Sequence, residues 1–363
     1  MQHQSFSFSQ NAWRRLKKNK GAMLGLIIIC LALLCGIFGY FLASDSTPNA
    51  DRQIVEIQAA KPGYRQLFIK VLKQKNIAST GFFKKLLSGA EEKFSYVPIN
   101  SFIVNKDSVI VQKFIDEGVE ERLAIPVASL YSANYIVSKK FWLGTDRFGR
   151  DILSRLIIGI RVSLAVGLIT VLISLSIGII LGSVAGYFGG KTDNIIMWLI
   201  NVIWSIPTLL LVFGITLALG KGFWQIFIAV GLTMWVTVAR LVRGQVLALR
   251  DMEYIQAAKV LGLKNMRIIY RHILPNIIGP VIVIAASNFA TAIIVEAGLS
   301  FLGVGVQPPQ PSWGLMIKEN YNFIITHNPA LALAPGIAIM ILVLAFNLLG
   351  NGLRDAFDVK GKL

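Results

Sequence analysis

The chain alternates between long apolar runs and short polar, basic breaks, with one long polar stretch near its start. Six apolar segments are long enough to be read as helices crossing a bilayer whose core of about 30 Å needs about 20 helical residues. They are Ala22–Leu42, Leu164–Tyr187, Ile195–Leu219, Phe223–Ala239, Ile277–Val295 and Leu331–Leu349. Pro207 interrupts the third, and the fourth is short. The expected fold class is therefore an all-α polytopic membrane protein with six transmembrane helices. The polar stretch Asp45–Lys140 breaks this pattern. Gln53–Gln58 and Ser101–Val111 alternate like strands, while Arg65–Lys75 and Phe82–Leu87 have helical spacing, so a small α+β insert is expected between spans one and two.

Composition agrees with the hydropathy. Of 363 residues, 55% are hydrophobic and 15% charged, which excludes an ordinary soluble domain. The net charge of +17 raises the question of nucleic acid, but its distribution answers it. With the N-terminus inside, the inner pieces carry 16 Lys and Arg and the two short outer loops carry 2, Lys221 and Lys318. That asymmetry sets a membrane orientation, with both termini cytoplasmic and the insert outside. No basic face interleaved with aromatics is present, so no nucleic-acid partner is expected. The first span is too long for the core of a cleaved signal peptide and reads as an uncleaved anchor. Cys30 and Cys35 lie about 7.5 Å apart in helical rise and are read as packing residues.

Two apparent chemical motifs fail on inspection. Ala185–Thr192, AGYFGGKT, fits only a loosened phosphate-loop pattern and lies between two spans rather than between a strand and a helix. His3, His272 and His327 are too scattered to form a metal site, and no nucleophile–base set occurs. No catalytic residue, metal or bound cofactor is expected.

The segment 253–276, EYIQAAKVLGLKNMRIIYRHILPN, is charged yet sits between two spans. Ala258 and Gly262 at i and i+4 offer a flat helix face, Gly262 and Lys264-Asn265 read as a stop and restart, and Pro275 marks the next boundary. Ile268, Ile269, His272 and Ile273 share a helical face. This resembles the docking loop of ABC-importer permeases, a cytoplasmic element that seats in the ATPase subunit. Ala257, Ala258, Gly262, Leu274 and Pro275 fit that pattern, while Gln256 replaces its Glu and His272 its Ile, with Glu253 one turn upstream. Arg271 through Asn276 is similar to the dipeptide/oligopeptide/nickel branch.

Three more strings carry the resemblance to the C-type permease of that branch. Gly144, Thr145, Asp146, Gly149, Arg150 and Asp151 match the motif that opens the transport segment. From the residues alone, Thr145 or Asp146 is expected to cap a helix, with surface ion pairs among Asp146, Arg150 and Asp151. EAGLSFLGVG places Glu296, Gly298, Ser300, Gly303 and Gly305 as pathway or gate candidates. Glu296 is the one acid within an apolar run, and it would either face a polar cavity or snorkel at the span's end. NLLGNGLRDAFD closes the chain, with Asn351 where the family carries an acid.

The resemblance implies the type I ABC-importer permease fold, in a bacterial plasma membrane. It implies a transport subunit for di- or oligopeptides, or for nickel, that performs no chemistry. The implied partners are a homologous B-type permease, two ABC ATPases that hold ATP and Mg, an extracytoplasmic solute-binding protein and the lipid bilayer. The domain reading is a basic tail with the first span at 1–43, the insert at 44–142, the transport domain at 143–358 with its docking loop at 240–276, and a tail at 359–363. A membrane-tethered receptor working through the insert is the alternative of a different class.

Overall fold

The computed structural model describes residues 8–74, 77, 80–131, 134–220, 222–326 and 328–357. The expected tail at 359–363, His3 and His327 lie outside the described residues. The chain forms two compact units. One comprises Met1–Ala32, Ser163–Gln307 and Ile339–Leu363, and the other Leu33–Val162 and Pro308–Ala338.

The helices in chain order are α1 (Phe8–Lys18), α2 (Lys20–Leu42), α3 (Phe82–Ser88), α4 (Ile152–Phe188), α5 (Gly190–Trp204), α6 (Thr208–Leu219) and α7 (Phe223–Arg250). They continue as α8 (Glu253–Val260), α9 (Asn265–Ile268), α10 (Leu274–Leu302), α11 (Trp313–Asn320), α12 (Phe323–Thr326) and α13 (Ala330–Phe357). Among the described residues, five helices are long and apolar enough to cross a membrane, and the pair α5–α6 makes a sixth only as a bent span. The third span, which the sequence shows interrupted by Pro207, is broken by 91°. Pro207 disfavours helix for the residue before it and cannot donate to the preceding turn, so the axis turns at Ser205–Pro207.

In the first unit, α4 and α7 approach through a row of glycines on α4. A Cβ on Gly178, Gly182 or Gly186 would come within 2.5 Å, 2.5 Å and 2.8 Å of Val238 Cβ, Ala239 O and Arg243 O. Small residues four apart allow this backbone proximity, the usual basis of helix association where lipid supplies no hydrophobic drive. Asn19 caps α2 by accepting the Ala22 N–H at 3.1 Å, and Ala12, Leu16, Ala22 and Ala356 close a small core there.

The second unit holds an antiparallel five-stranded sheet of order β4-β3-β2-β1-β5. Its strands are β1 (Tyr64–Leu72), β2 (Phe94–Val104), β3 (Ser108–Asp116), β4 (Val119–Pro126) and β5 (Ile136–Phe141). This corrects three sequence expectations. Within the run Arg65–Lys75, expected as helix, the residues through Leu72 belong to the central strand β1, paired on both edges with β2 and β5, and Lys75 lies outside the described residues. Phe68 and Ile69 are consecutive yet both buried, so the period-two signal that marks a half-exposed strand is lost. Gln53–Gln58, expected as a strand, makes a 3₁₀ turn at Val55–Ile57. Ser101–Val111 is not one strand but the hairpin joining β2 and β3. The helix expected at Phe82–Leu87 forms as α3. Arg161 on α4 donates to the carbonyls of Gly36, Ile37, Leu86 and Leu87, tying α2, α3 and α4 together.

Tyr96 on β2 is flanked by two cations. Lys139 Nζ lies 4.0 Å and Arg52 Cζ 4.5 Å from its ring centroid. Burial, reinforced by Arg52, pulls Lys139 down to about 8, against the opposing carboxylates of Glu92, Asp45 and Asp151. Burial and Glu92 push Tyr96 up to about 12. Between about pH 8 and 10 the unfolded chain therefore holds the lysine proton that the folded chain has lost, so stability rises with pH across that window. Above it, Tyr96 acts in the opposite direction. Thermal unfolding of the purified protein is expected to gain about 1–2 kcal/mol between pH 8 and 9.5. The Lys139→Met variant is expected to lose that gain, and a wild-type protein whose stability falls over this window would refute the assignment.

Candidate functional site

The charged segment 253–276 is built as a rigid helical bracket within the first unit. After α7 ends at Arg250, Met252 starts α8 in an extended conformation, and Glu253 occupies the first turn, where a negative charge suits the helix dipole. Gly262 sits at φ +75° and ends α8. Its N–H reaches Lys259 O at 2.9 Å and the Leu263 N–H reaches Ala258 O at 3.2 Å, a paired closure that requires a left-handed residue. Lys264 then starts α9, which passes through a π turn at Ile269–Ile273 directly into α10.

The inner face of the bracket is apolar. Ile255, Ala258, Ile268, Ile269 and Ile273 pack with Tyr187, Val238, Val242 and Val246 in one core. Tyr187 Oη donates to Asn265 Oδ1 at 3.0 Å. His272, expected on this face, is only half-buried, and its carbonyl accepts from Asn276 Nδ2 at 2.6 Å. Ala258 is buried in this core while Gly262 is exposed, so the two do not form the flat docking face that their spacing suggested. The outer face carries Ala257 and four large apolar side chains: Val260 (88% exposed), Leu261 (81%), Met266 (66%) and Tyr270 (78%). Arg271 and Pro275 are exposed and Leu274 half-buried. Gln256 donates its amide to Arg250 O at 3.0 Å and so satisfies an orphan carbonyl at the end of α7. A carboxylate could not donate that bond, which gives the Glu-to-Gln difference a local role.

The motif at 144–151 lies in the second unit and is an interior charge cluster rather than a set of surface ion pairs. Arg150 contacts Asp146 at 2.6 Å, Glu319 at 2.7 Å and Asp51 at 3.1 Å. Arg155, on the first turn of α4, lies 3.6–3.9 Å from the same three carboxylates. Burial alone would lower the pKa of Arg150, but Asp146 and Glu319 outweigh it and raise it. The helix cap is neither Thr145 nor Asp146. Asp151 accepts from the Ser154 N–H at 3.2 Å, while Asp146 closes its own turn by accepting from the Phe148 and Arg150 N–H groups. Thr145 instead anchors the 57–60 segment through Ile57 O and the Ala60 N–H. Gly149, at φ +71°, has no room for a Cβ, which would fall 1.7 Å from Ile54 O. Gly144 is confined in the same way by Ala60 O. Asp51 and Glu319 are distant in sequence from the motif, and nothing in its spacing pointed to them, while Arg155 follows it by only four residues.

Glu296 is fully buried in α10 and accepts from Ser300 Oγ at 2.6 Å, and Ser300 Oγ accepts from the Val306 N–H at 3.0 Å. Gly303 (φ +86°) closes α10, and Gly305 lies so close to Ser300 that a Cβ would meet its Oγ at 2.1 Å. Gly298 borders Leu209. The carboxylate is thus held inside its unit and does not snorkel. Among the described residues no cluster of His, Cys, Asp or Glu could hold a metal ion.

Among the described residues, five or six apolar helices, with a helical bracket exposing an apolar face between two of them, make this a polytopic membrane protein by length and composition. The profile of binding-protein-dependent transport system inner membrane components matches residues 178–360, and that of the N-terminal TM domain of oligopeptide transport permease C matches residues 7–62. The chain belongs to the binding-protein-dependent transport permease family, with the type I ABC-importer permease fold. A dipeptide transport system permease protein of Bacillus subtilis is 34% identical over 98% of this chain and 87% of its own length. A dipeptide permease of Alkalihalophilus pseudofirmus is 44% identical over 62% of this chain and 74% of its own. A glutathione transport system permease of Pectobacterium atrosepticum is 43% identical over the same shares. A solved methionine ABC transporter in inward-facing conformations aligns at TM-score 0.47 and 19% identity, over 57% of this chain and 97% of that one, a likeness too distant to carry an argument. Neither profile covers residues 63–177, where the sheet lies.

Two outcomes are expected at these sites. Glu319→Gln leaves both guanidiniums short of one carboxylate, and breaking a buried pair costs about 3–5 kcal/mol, so the melting temperature should fall while membrane insertion persists. Gly262→Asn should keep α8 closed, because Asn tolerates the left-handed region, while Gly262→Val should open it. Limited proteolysis at 259–266 in the detergent-solubilised protein reads the difference, and equal cleavage of the two variants would refute the role of the turn.

Proposed function

We propose that this chain is the C-type half of the membrane pathway of an ATP-driven importer of short peptides. It would pair with a homologous B-type permease and couple through 253–276 to two ATPase subunits that bind ATP and Mg. The observation that carries the coupling role is the exposed row Val260, Leu261, Met266 and Tyr270 on a bracket whose inner face is packed against α4 and α7. An apolar surface of this kind on a rigid support suits a protein partner, since water gains nothing from it. A push on the bracket would move α10 as one body, because the π turn joins them without a flexible link. The chain itself would bind no nucleotide and perform no chemistry.

Peptides are favoured over nickel by relatives whose names assign them dipeptides, oligopeptides and glutathione. The basic asymmetry between inner and outer pieces supports cytoplasmic termini in a bacterial plasma membrane, with the sheet outside, on the side of an extracytoplasmic solute-binding protein.

Leu261→Asp puts a charge on the exposed row without touching the inner core. Copurification of the ATPase subunits and peptide uptake are expected to fall about tenfold or more, as for a truncated interface anchor, while the two permeases still associate. Normal ATPase binding and uptake would remove the coupling role. In a background with Cys30 and Cys35 replaced, Ser88→Cys should react with an impermeant thiol reagent in spheroplasts and Lys264→Cys should not. The reverse pattern would invert the topology and end the docking reading.

A further inference from the structure

The break between α5 and α6 opens onto a cavity of about 200 Å³, enclosed by α7 and α10 within the first unit. Its walls are apolar except for Thr208, Thr233, Thr237, Ser287, Asn288 and Thr291. None of the lining side chains is charged. Asn288 stands at the midpoint of the 29-residue α10 and is 4% exposed, and its Nδ2 has no hydrogen-bond partner. A buried amide left unpaired is costly, more so in a segment surrounded by hydrocarbon, and such groups mark working sites in membrane proteins.

The unused hydrogen-bonding capacity has a definite pattern. Asn288 Nδ2 offers donors. The Leu211 N–H of α6 is taken by Pro207 O at 3.0 Å, and the N–H groups of the turn before it have no acceptor within the helix and no side-chain cap from Pro207. The hydroxyls of Thr233 and Thr291 donate to Val230 O at 2.9 Å and Ser287 O at 3.1 Å, which leaves their oxygens as acceptors. Donors and acceptors side by side, with no charge among them, complement a secondary amide: its carbonyl toward Asn288 and α6, its N–H toward a threonine oxygen. A volume of this size holds about six waters or one peptide unit between smaller side chains. The guanidinium of Arg240 lies 3.6 Å from the ring centroid of the lining Trp204 and donates to Asn201 Oδ1 at 3.1 Å, so this cation is engaged outside the lining.

We propose that the cavity at the α5–α6 break is a solute subsite that binds the peptide bond of the passing substrate, with Asn288 as its principal donor. The inference rests on the importer reading above and adds where this half of the pathway touches its cargo. Recognition of the backbone amide serves any side chain, as import of varied short peptides requires. It adds Asn288 to the pathway candidates read from the sequence, among them Glu296, whose carboxylate accepts from Ser300 Oγ.

The test uses the complete complex in proteoliposomes with its solute-binding protein, ATP and radiolabelled trialanine. Asn288→Leu should assemble and lower uptake about five- to tenfold, the effect of one lost neutral hydrogen bond. Wild-type uptake by an assembled Asn288→Leu complex overturns the subsite and leaves the importer reading standing. A wild-type complex that imports no trialanine overturns both. If Asn288→Leu does not assemble, Asn288→Cys in the background lacking Cys30 and Cys35 decides. Reaction with a hydrophilic thiol reagent, slowed by trialanine during turnover, supports the subsite. A thiol shielded in the complex makes Asn288 a packing residue and ends the proposal.

Discussion

In hydrocarbon every backbone N–H and C=O has to find its partner within the protein, and this constraint organises the molecule. A helix satisfies it by itself, which is why α2, α4, α7, α10 and α13 run as long helices. A break is tolerated only where something else takes up the freed groups. The bend at Pro207 is such a break, and five hydroxyls and an amide gather there among the apolar side chains. The end of α10 solves the same problem differently, with Gly303 folding the chain back onto Leu299 and Ser300. The end of α7 borrows the amide of Gln256.

Packing between the helices follows from the same setting. Lipid offers no hydrophobic drive between spans, so α4 and α7 are held by close backbone approach over Gly178, Gly182 and Gly186. The region beyond Gly182 on α4, with Tyr187, also supplies the platform for 253–276. Helix packing and the support of the 253–276 bracket are therefore one structure in the first unit. In the second unit an ionic cluster is added to the sheet and its apolar cores. Two guanidiniums among Asp51, Asp146 and Glu319 join the 51–60 segment, the start of α4 and α11. Such a cluster is costly to bury and costly to break, and it specifies one arrangement more than it adds stability.

The helical class, the positions of the spans and the helix-turn-helix at 253–276 were legible in the sequence because hydropathy and helical spacing are local signals. Gly262 was legible as a stop for the same reason: a left-handed closure has a one-residue signature. The strand at Tyr64–Leu72 was not, because a strand covered on both sides loses its alternation, and only its pairing with β2 and β5 distinguishes it from a helix.

What tertiary structure alone decided is which polar groups meet and which face of each helix they occupy. Asp146 and Arg150 are neighbours in sequence, yet their burial depends on Asp51 and Glu319 coming from 95 or more positions away in the case of Asp51 and from another helix in the case of Glu319. Ala258 and Ala257 are adjacent and alike, and only the docking of α8 on α7 makes one core and the other surface. Asn288 is one amide in a run of small residues, and its meaning comes from the cavity that the bent α5–α6 pair opens beside it. Sequence by itself determined where the chain can be helical, because each residue's hydropathy and backbone preference act locally. It left open the partners of the buried polar groups, because their energies depend on distances between segments that only folding brings together.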